Sequence, residues 1–141
     1  MSTNRSMPPG TVIPELAYAD VVAAARWLCD AFGFRERLRI GTHRIQLRIG
    51  DGSMVAVEQG ADSAAATSRV MVRVADVDAH HARAVAARAT IVNAPTTYPF
   101  GERQYSALDL GGHRWTFSQS VADIDPSSWG GELVERWAQS T

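Results

Sequence analysis

Residues 16–25 read LAYADVVAAA and residues 72–81 read VRVADVDAHH, so an apolar strand end, an Ala-Asp pair and a helix start recur 56 positions apart. A second echo follows, because residues 51–59 (DGSMVAVEQ) align with residues 111–119 (GGHRWTFSQ) 60 positions later. An internal repeat decides the architecture before any local pattern is considered. The chain therefore consists largely of two copies of one module.

Each copy is predicted to have the element order βαβββ. In the first copy, residues 12–18 alternate in the manner of a strand, Asp20 caps a helix over residues 21–32, and Gly33 ends it. Three strands are predicted to follow at about residues 34–40, 43–49 and 53–59. The second copy is predicted to have a strand at 69–75, a helix at 77–89 capped by Asp76, a strand near 90–93, a Pro-rich connection, and strands at 102–108 and 113–119.

The flanking segments lack this pattern. Residues 1–10 are predicted to be a mobile tail, and residues 60–68 (GADSAAATS) a linker of small and polar residues. The modules thus span residues 11–59 and 69–119. Residues 120–141 form a C-terminal tail, in which ELVERWAQ predicts a short helix. Tryptophans in this tail indicate that it docks on the rest of the molecule.

Composition excludes several classes of function. The chain of 141 residues is 45% hydrophobic and 21% charged with a net charge of −1, which is typical of a globular domain. No basic run indicates a nucleic-acid partner or a membrane surface. Cys29 is the single cysteine, so the chain has neither an internal disulfide nor a cysteine metal cluster. The first residues lack the apolar core of a secretory signal, and we expect a cytoplasmic protein.

The segment GERQYSALDLGGHRWTFSQ, residues 101–119, resembles the closing hairpin of glyoxalase-like and bleomycin-resistance-like proteins. With the duplicated modules, residues 11–119 resemble the glyoxalase, bleomycin-resistance and extradiol dioxygenase superfamily, the vicinal oxygen chelate proteins. Leu110-Gly111 replaces the usual Pro-x pair in the hairpin. The resemblance implies an α+β fold in which two curled sheets form a cup around a small-molecule ligand. It also implies a homodimer.

Metal-using members of this superfamily place ligands on the first and last strands of each module. Carried onto this chain by the capping aspartates and the repeat, the four positions are Ile13, Ala56, Arg69 and Thr116. None is the imidazole or carboxylate that such metals require, so no metal and no other cofactor is expected. A register shift of two would bring in Glu58, and Glu15 lies on the same predicted face as Ile13.

Strand alternation predicts the side chains that line the cup. The predicted ligand-binding residues are Gln46, Arg48, Met54, Arg69, Met71, Arg73, Arg114 and Thr116. Burying several charges is costly unless they pair or bind a ligand. Glu15 and Glu58 could therefore serve only to neutralise arginines of the cup.

Two functions remain open from the sequence. The first is metal-independent binding or sequestration of a small polar or anionic molecule, as in resistance-type proteins. The second is an enzyme of the same fold, of the lyase, isomerase or epimerase type, in which Glu58 or Glu15 acts as general base. One fold supports both, so the resemblance does not separate them.

Overall fold

The structure, a computed structural model, describes residues 4–60 and 68–133. Most of the predicted linker, residues 61–67, and most of the predicted C-terminal helix lie outside the described residues. A bilayer-spanning helix is not found in the described part, where the two α-helices have 12 and 10 residues.

The first module has the predicted element order. Its elements are β1 (Glu15–Tyr18), α1 (Val21–Phe32), β2 (Arg35–Ile40), β3 (Arg44–Ile49) and β4 (Gly52–Glu58). The helix begins and ends where the sequence predicts, because the Asp20 carboxylate accepts a hydrogen bond from the Ala23 amide at 3.0 Å. Gly33 ends the helix with a left-handed φ of 78°.

The second module repeats this order with two differences. Its elements are β5 (Arg69–Arg73), α2 (Val77–Ala86), β6 (Thr90–Thr97), β7 (Glu102–Leu108) and β8 (Arg114–Ser120). Helix α2 is shorter than predicted, and β6 continues through Pro95, where a connection was predicted. Strand β6 lies at the edge of its sheet, where a proline without an N–H group is tolerated.

Each module forms one mixed sheet of four strands, in the orders β1-β4-β3-β2 and β5-β8-β7-β6. The first strand of each module runs parallel to the last, and the remaining pairs are antiparallel. The predicted α+β fold of two βαβββ modules is thereby confirmed.

One hydrophobic core serves both modules. Phe32 of α1 lies with its ring centroid 4.7 Å from that of Phe117 and 5.8 Å from that of Trp115, both on β8. The helices α1 and α2 also contact each other. Each sheet therefore has an inner face, packed on the helices, and an opposite face that we call the open face.

The C-terminal segment packs on the second module. Residues Pro126–Trp129 form a short 3-10 helix, and the Trp129 ring contacts Phe100 with a centroid distance of 5.7 Å. The Val121 amide donates to the Gly101 carbonyl at 2.8 Å. A side chain at position 101 would collide with the Ala122 carbonyl oxygen at 2.1 Å, so this close approach requires glycine.

Candidate functional site

The strand registers define which side chains reach the open face of the first sheet. Ile45 pairs with Ala56 and Leu47 with Met54, and all four are fully buried in the core. Side chains on neighbouring positions point the other way, so Gln46, opposite Val55, lies on the open face. Glu15 pairs with Val55 and lies there too.

The prediction that Met54, Ala56 and Glu58 line the cup is wrong. Met54 and Ala56 are core residues, and Glu58 pairs with the buried Tyr18, on the inner-face side of β4. Val55 and Val57 occupy the open face instead.

The error comes from one residue in a hairpin. Met71 pairs with Thr116 in the second sheet, and its repeat counterpart Glu15 pairs with Val55 in the first. Thr116 therefore corresponds to Val55, because the last hairpin is one residue longer in the second module. A slip of one residue turns every side chain of a strand to the other face.

Polar groups on the first open face are largely engaged. Arg44 pairs with Glu15 at 2.6 Å. The Gln46 side chain accepts a hydrogen bond from Arg37 at 2.6 Å and donates to the Ser6 carbonyl at 2.8 Å. Glu15, one of the predicted general bases, is thus held in an exposed ion pair.

The open face of the second sheet agrees with the predicted alternation. Arg114 and Thr116 lie on it, whereas Trp115 and Phe117 are fully buried on the inner face. Arg69 lies directly opposite Arg114 in the register of β5 and β8. Two arginines therefore occupy neighbouring backbone positions on one face.

A chain of hydroxyl and amide groups crosses this face from β7 to β8. Ser106 and Thr116 share a hydrogen bond of 2.8 Å, and Gln104 donates to Ser118 at 3.0 Å. Ser118 in turn donates to the Glu102 carboxylate at 2.5 Å. Hydrogen bonds from Ser118 and Ser120 lower the pKa of Glu102. Gln104 and Ser106 were missed by the sequence analysis, although alternation with Tyr105 and Ala107 could have placed them.

The arginines of the second open face have few partners. Ion pairs among residues 4–60 and 68–133 join Arg39 to Glu36, Arg44 to Glu15 and Arg103 to Asp78. None of these involves Arg69, Arg73 or Arg114, so neither Glu15 nor Glu58 neutralises them. Arg73 donates to the Ser120 hydroxyl at 3.0 Å. Arg114 donates to the side-chain oxygen of Asn93 at 3.0 Å when that amide is oriented to accept.

The residues at the superfamily's metal positions do not fit a metal. With the register corrected, these positions hold Ile13, Val55, Arg69 and Thr116, which offer at most one neutral hydroxyl oxygen. Within the described residues, no group of three or more His, Cys, Asp or Glu side chains could hold an ion.

Two histidines serve the packing of the modules instead. His80 Nε2 donates to the Phe32 carbonyl at 2.9 Å, and its Nδ1 accepts from the Tyr105 hydroxyl at 2.6 Å. His113 Nε2 donates to the Ala17 carbonyl at 2.8 Å. Each imidazole therefore joins one module to the other.

Residues 12–117 match the sequence model of the Glyoxalase/Bleomycin resistance protein/Dioxygenase superfamily. The chain belongs to this superfamily. TioX from Micromonospora sp. ML1, a solved structure, supports the assignment with 36% identity and a TM-score of 0.68 over 82% of this chain and 100% of that one. No curated protein sequence gives a significant match.

More distant solved structures share the fold. The bleomycin-binding protein of Streptomyces verticillus, solved with copper(II)-bleomycin, is 22% identical with a TM-score of 0.62 over 75% of this chain and 92% of that one. A lactoylglutathione lyase from Agrobacterium tumefaciens is 18% identical with a TM-score of 0.65 over 80% and 96%. These two fold neighbours are thus a binding protein and a lyase by name.

Proposed function

We propose that this protein binds a small anionic organic molecule on its open sheet faces, without a metal ion. The observation that carries the proposal is the pair Arg69 and Arg114, which lie opposite each other on β5 and β8 with no carboxylate partner among the described residues. A ligand carboxylate, phosphate or sulfonate would supply that partner.

Like charges on neighbouring strands repel each other, by roughly 0.2–1 kcal/mol for a directly opposite pair. An anion between two guanidinium groups would replace this repulsion with charge-assisted hydrogen bonds. Arg73 adds positive charge on the same face of β5, four residues from Arg69. In the first sheet, Arg35 and Arg48 form a similar opposite pair.

The same face offers contacts for the uncharged part of a ligand. Met71 lies between Arg69 and Arg73 on this face with 66% of its surface exposed. Its thioether would cover apolar carbon atoms, while the Thr116 hydroxyl would orient a polar group. This mixture supports an organic anion over an inorganic ion.

The enzymatic alternative receives less support from the geometry. Glu58 lies on the inner-face side of β4, and Glu15 is paired with Arg44, so neither carboxylate faces Arg69 and Arg114 as an unpaired base. The fold neighbours include a protein named as a binding protein and one named as a lyase, and the fold alone does not choose between these functions. We therefore propose that the chain is a binding protein of the cytoplasm rather than an enzyme.

We also propose that the protein acts as a homodimer in which a second copy closes the open faces. The exposed Met71 supports this, because a large apolar side chain on an open sheet face favours a covering surface.

A fluorescent probe tests the anion site. Anilinonaphthalene sulfonate combines a sulfonate with an apolar ring system and brightens when it leaves water. We expect Arg114→Gln to weaken its binding by about ten-fold or more, the effect of losing one charge-assisted hydrogen bond. Added chelator should leave the affinity of the unmodified protein unchanged.

Arg26→Gln is the matched control. Arg26 is an exposed arginine on α1, and its substitution removes the same charge. Equal affinities for the Arg114 and Arg26 variants would refute the site. In low-salt buffer without probe, Arg114→Gln should also raise the melting temperature by about 1–3 °C, because the repulsion is relieved.

A further inference from the structure

The N-terminal segment, residues 4–10, lies across the open face of the first sheet, and we call it the strap. Its start is a turn in which the Ser6 amide donates to the Asn4 side chain at 3.0 Å and the Met7 amide to the Asn4 carbonyl at 3.1 Å. Pro8 is buried, and Gly10 leaves the strap with a positive φ of 112°. The sequence predicts only a mobile tail here.

Backbone carbonyls of the strap take the hydrogen-bond donors of the open face. Arg37 donates to the Arg5 carbonyl at 3.0 Å, and the Gln46 side chain donates to the Ser6 carbonyl at 2.8 Å. Gln46, a predicted ligand-binding residue, keeps only 4% of its surface exposed. Its neighbour on this face, Val55, keeps 3%.

The closed arrangement leaves one polar group unsatisfied. Ser53 also lies on this face, opposite Arg48, and its buried hydroxyl has no hydrogen-bond partner among the described residues. The strap passes close by, since a Cβ on Gly10 would lie 3.8 Å from the Ser53 amide nitrogen. A buried hydroxyl without a partner is unfavourable, so the part of the face beside Gly10 is not fully satisfied in this arrangement.

Few contacts hold the strap in place. Residues 4–7 and Gly10 are exposed, and Pro8 is its one buried residue. A short segment with so little buried surface opens more easily than the strands beneath it.

We infer that the strap is an intramolecular competitor of the ligand. It closes the open face of the first sheet by presenting carbonyl oxygens to Arg37 and Gln46. A ligand whose carbonyl or carboxylate oxygens take the same donors displaces it. The inference rests on the proposed function for the ligand, whereas the occupancy of the face by the strap can be tested alone.

The test uses a chain lacking residues 2–9 and a synthetic peptide of residues 2–10, STNRSMPPG. We expect the peptide to bind the shortened chain at least about ten-fold more tightly than the full chain, in which the strap already fills the face. The side-chain amide signals of Gln46 in the NMR spectrum should shift on deletion and return when peptide is added. Equal binding to both chains would overturn the inference.

Two variants sharpen the result. In the shortened chain, Gln46→Leu should abolish peptide binding, whereas Gln59→Leu, at an exposed position beyond β4, should not. In the full chain, Pro8→Asp should open the strap, because a charged side chain resists burial, and should restore binding of added peptide. If added peptide does not bind the Pro8→Asp chain, the inferred covering of the face by the strap is contradicted.

The sulfonate probe separates this inference from the proposed function. Added to the full chain, it should move the Gln46 signals toward those of the shortened chain. If the peptide binds as expected but the probe binds neither chain, the proposed anion binding fails and the occupancy of the face by the strap stands. If the probe binds without moving the Gln46 signals, competition by the strap is refuted.

Discussion

At the scale of single residues, Asp109 shows how one buried carboxylate joins the two modules. It accepts hydrogen bonds from the Tyr18 hydroxyl at 2.6 Å, the Trp115 indole at 2.9 Å, and the amides of Gly111 and His113 at 2.9 and 3.0 Å. Burial and the neighbouring Asp109 carboxylate raise the pKa of Tyr18, so its hydroxyl stays a donor. The superfamily hairpin thus has a structural role in this chain.

Replacing this carboxylate should cost stability. Asp109→Ala leaves the Tyr18 hydroxyl and the Trp115 indole without partners inside the protein, and we expect a loss of about 3 kcal/mol or more in the free energy of unfolding. Urea denaturation measures it. The exposed Asp30→Ala on α1 is the control and should change stability by less than about 0.5 kcal/mol. Similar losses for the two variants would contradict the role of Asp109.

The phase of β4 shows where the sequence is insufficient. In β8, large apolar residues alternate with Arg114, Thr116 and Ser118, and the faces were predicted correctly. In β4, both phases are apolar, with Met54 on one face and Val55 on the other. A strand covered on both sides loses its alternation, and here the second cover is the strap. The register therefore had to come from pairing.

At the scale of elements, His80 fixes α2 against the end of α1. Burial lowers the pKa of this imidazole, and the backbone contact to Phe32 opposes the effect less strongly. Burial favours the neutral ring, in which Nε2 donates to Phe32 and Nδ1 can accept from the Tyr105 hydroxyl. Helix α2 has weak amphipathic character with only Val77 and Ala84 buried, so its docking depends on such contacts.

Acid should therefore weaken the docking of α2. A histidine whose pKa is lowered in the folded state binds a proton more readily in the unfolded chain. Its contribution to the free energy of unfolding is therefore complete above the pKa of the unfolded chain and is lost as the pH falls below about 6.5. His80→Gln should flatten the decline in unfolding free energy between pH 7 and pH 5, by at most about 1.4 kcal/mol per pH unit. His43→Gln, at an exposed position, should leave the slope unchanged. Parallel slopes for wild type and His80→Gln would contradict this.

At the scale of the whole molecule, the repeat predicted the element order and the helix caps, because these depend on short local patterns. The predictions failed where distant segments meet, as at the strap over Gln46 and at the Asp109 contact with Tyr18. Neither contact leaves a periodic signal in the sequence. The side chains on the open face were therefore predicted correctly only in the second module.

The proposed dimer makes its own prediction. Sedimentation velocity should show one species near twice the chain mass of 15.3 kDa. Met71→Glu, on the open face of β5, should shift this species toward the monomer, because a charge would be buried under the partner. Val85→Glu, on an exposed position of α2, should not. A wild-type monomer at all concentrations would rule the dimer out.

The core shared by Phe32, Trp115 and Phe117 gives the duplication a different meaning in the folded protein. The two copies are distinct in the sequence, but residues of both contribute to one hydrophobic core. Loosening α1 would expose aromatic rings of the second half to water. The duplication seen in the sequence therefore does not divide the folded molecule, because the two halves share one hydrophobic core.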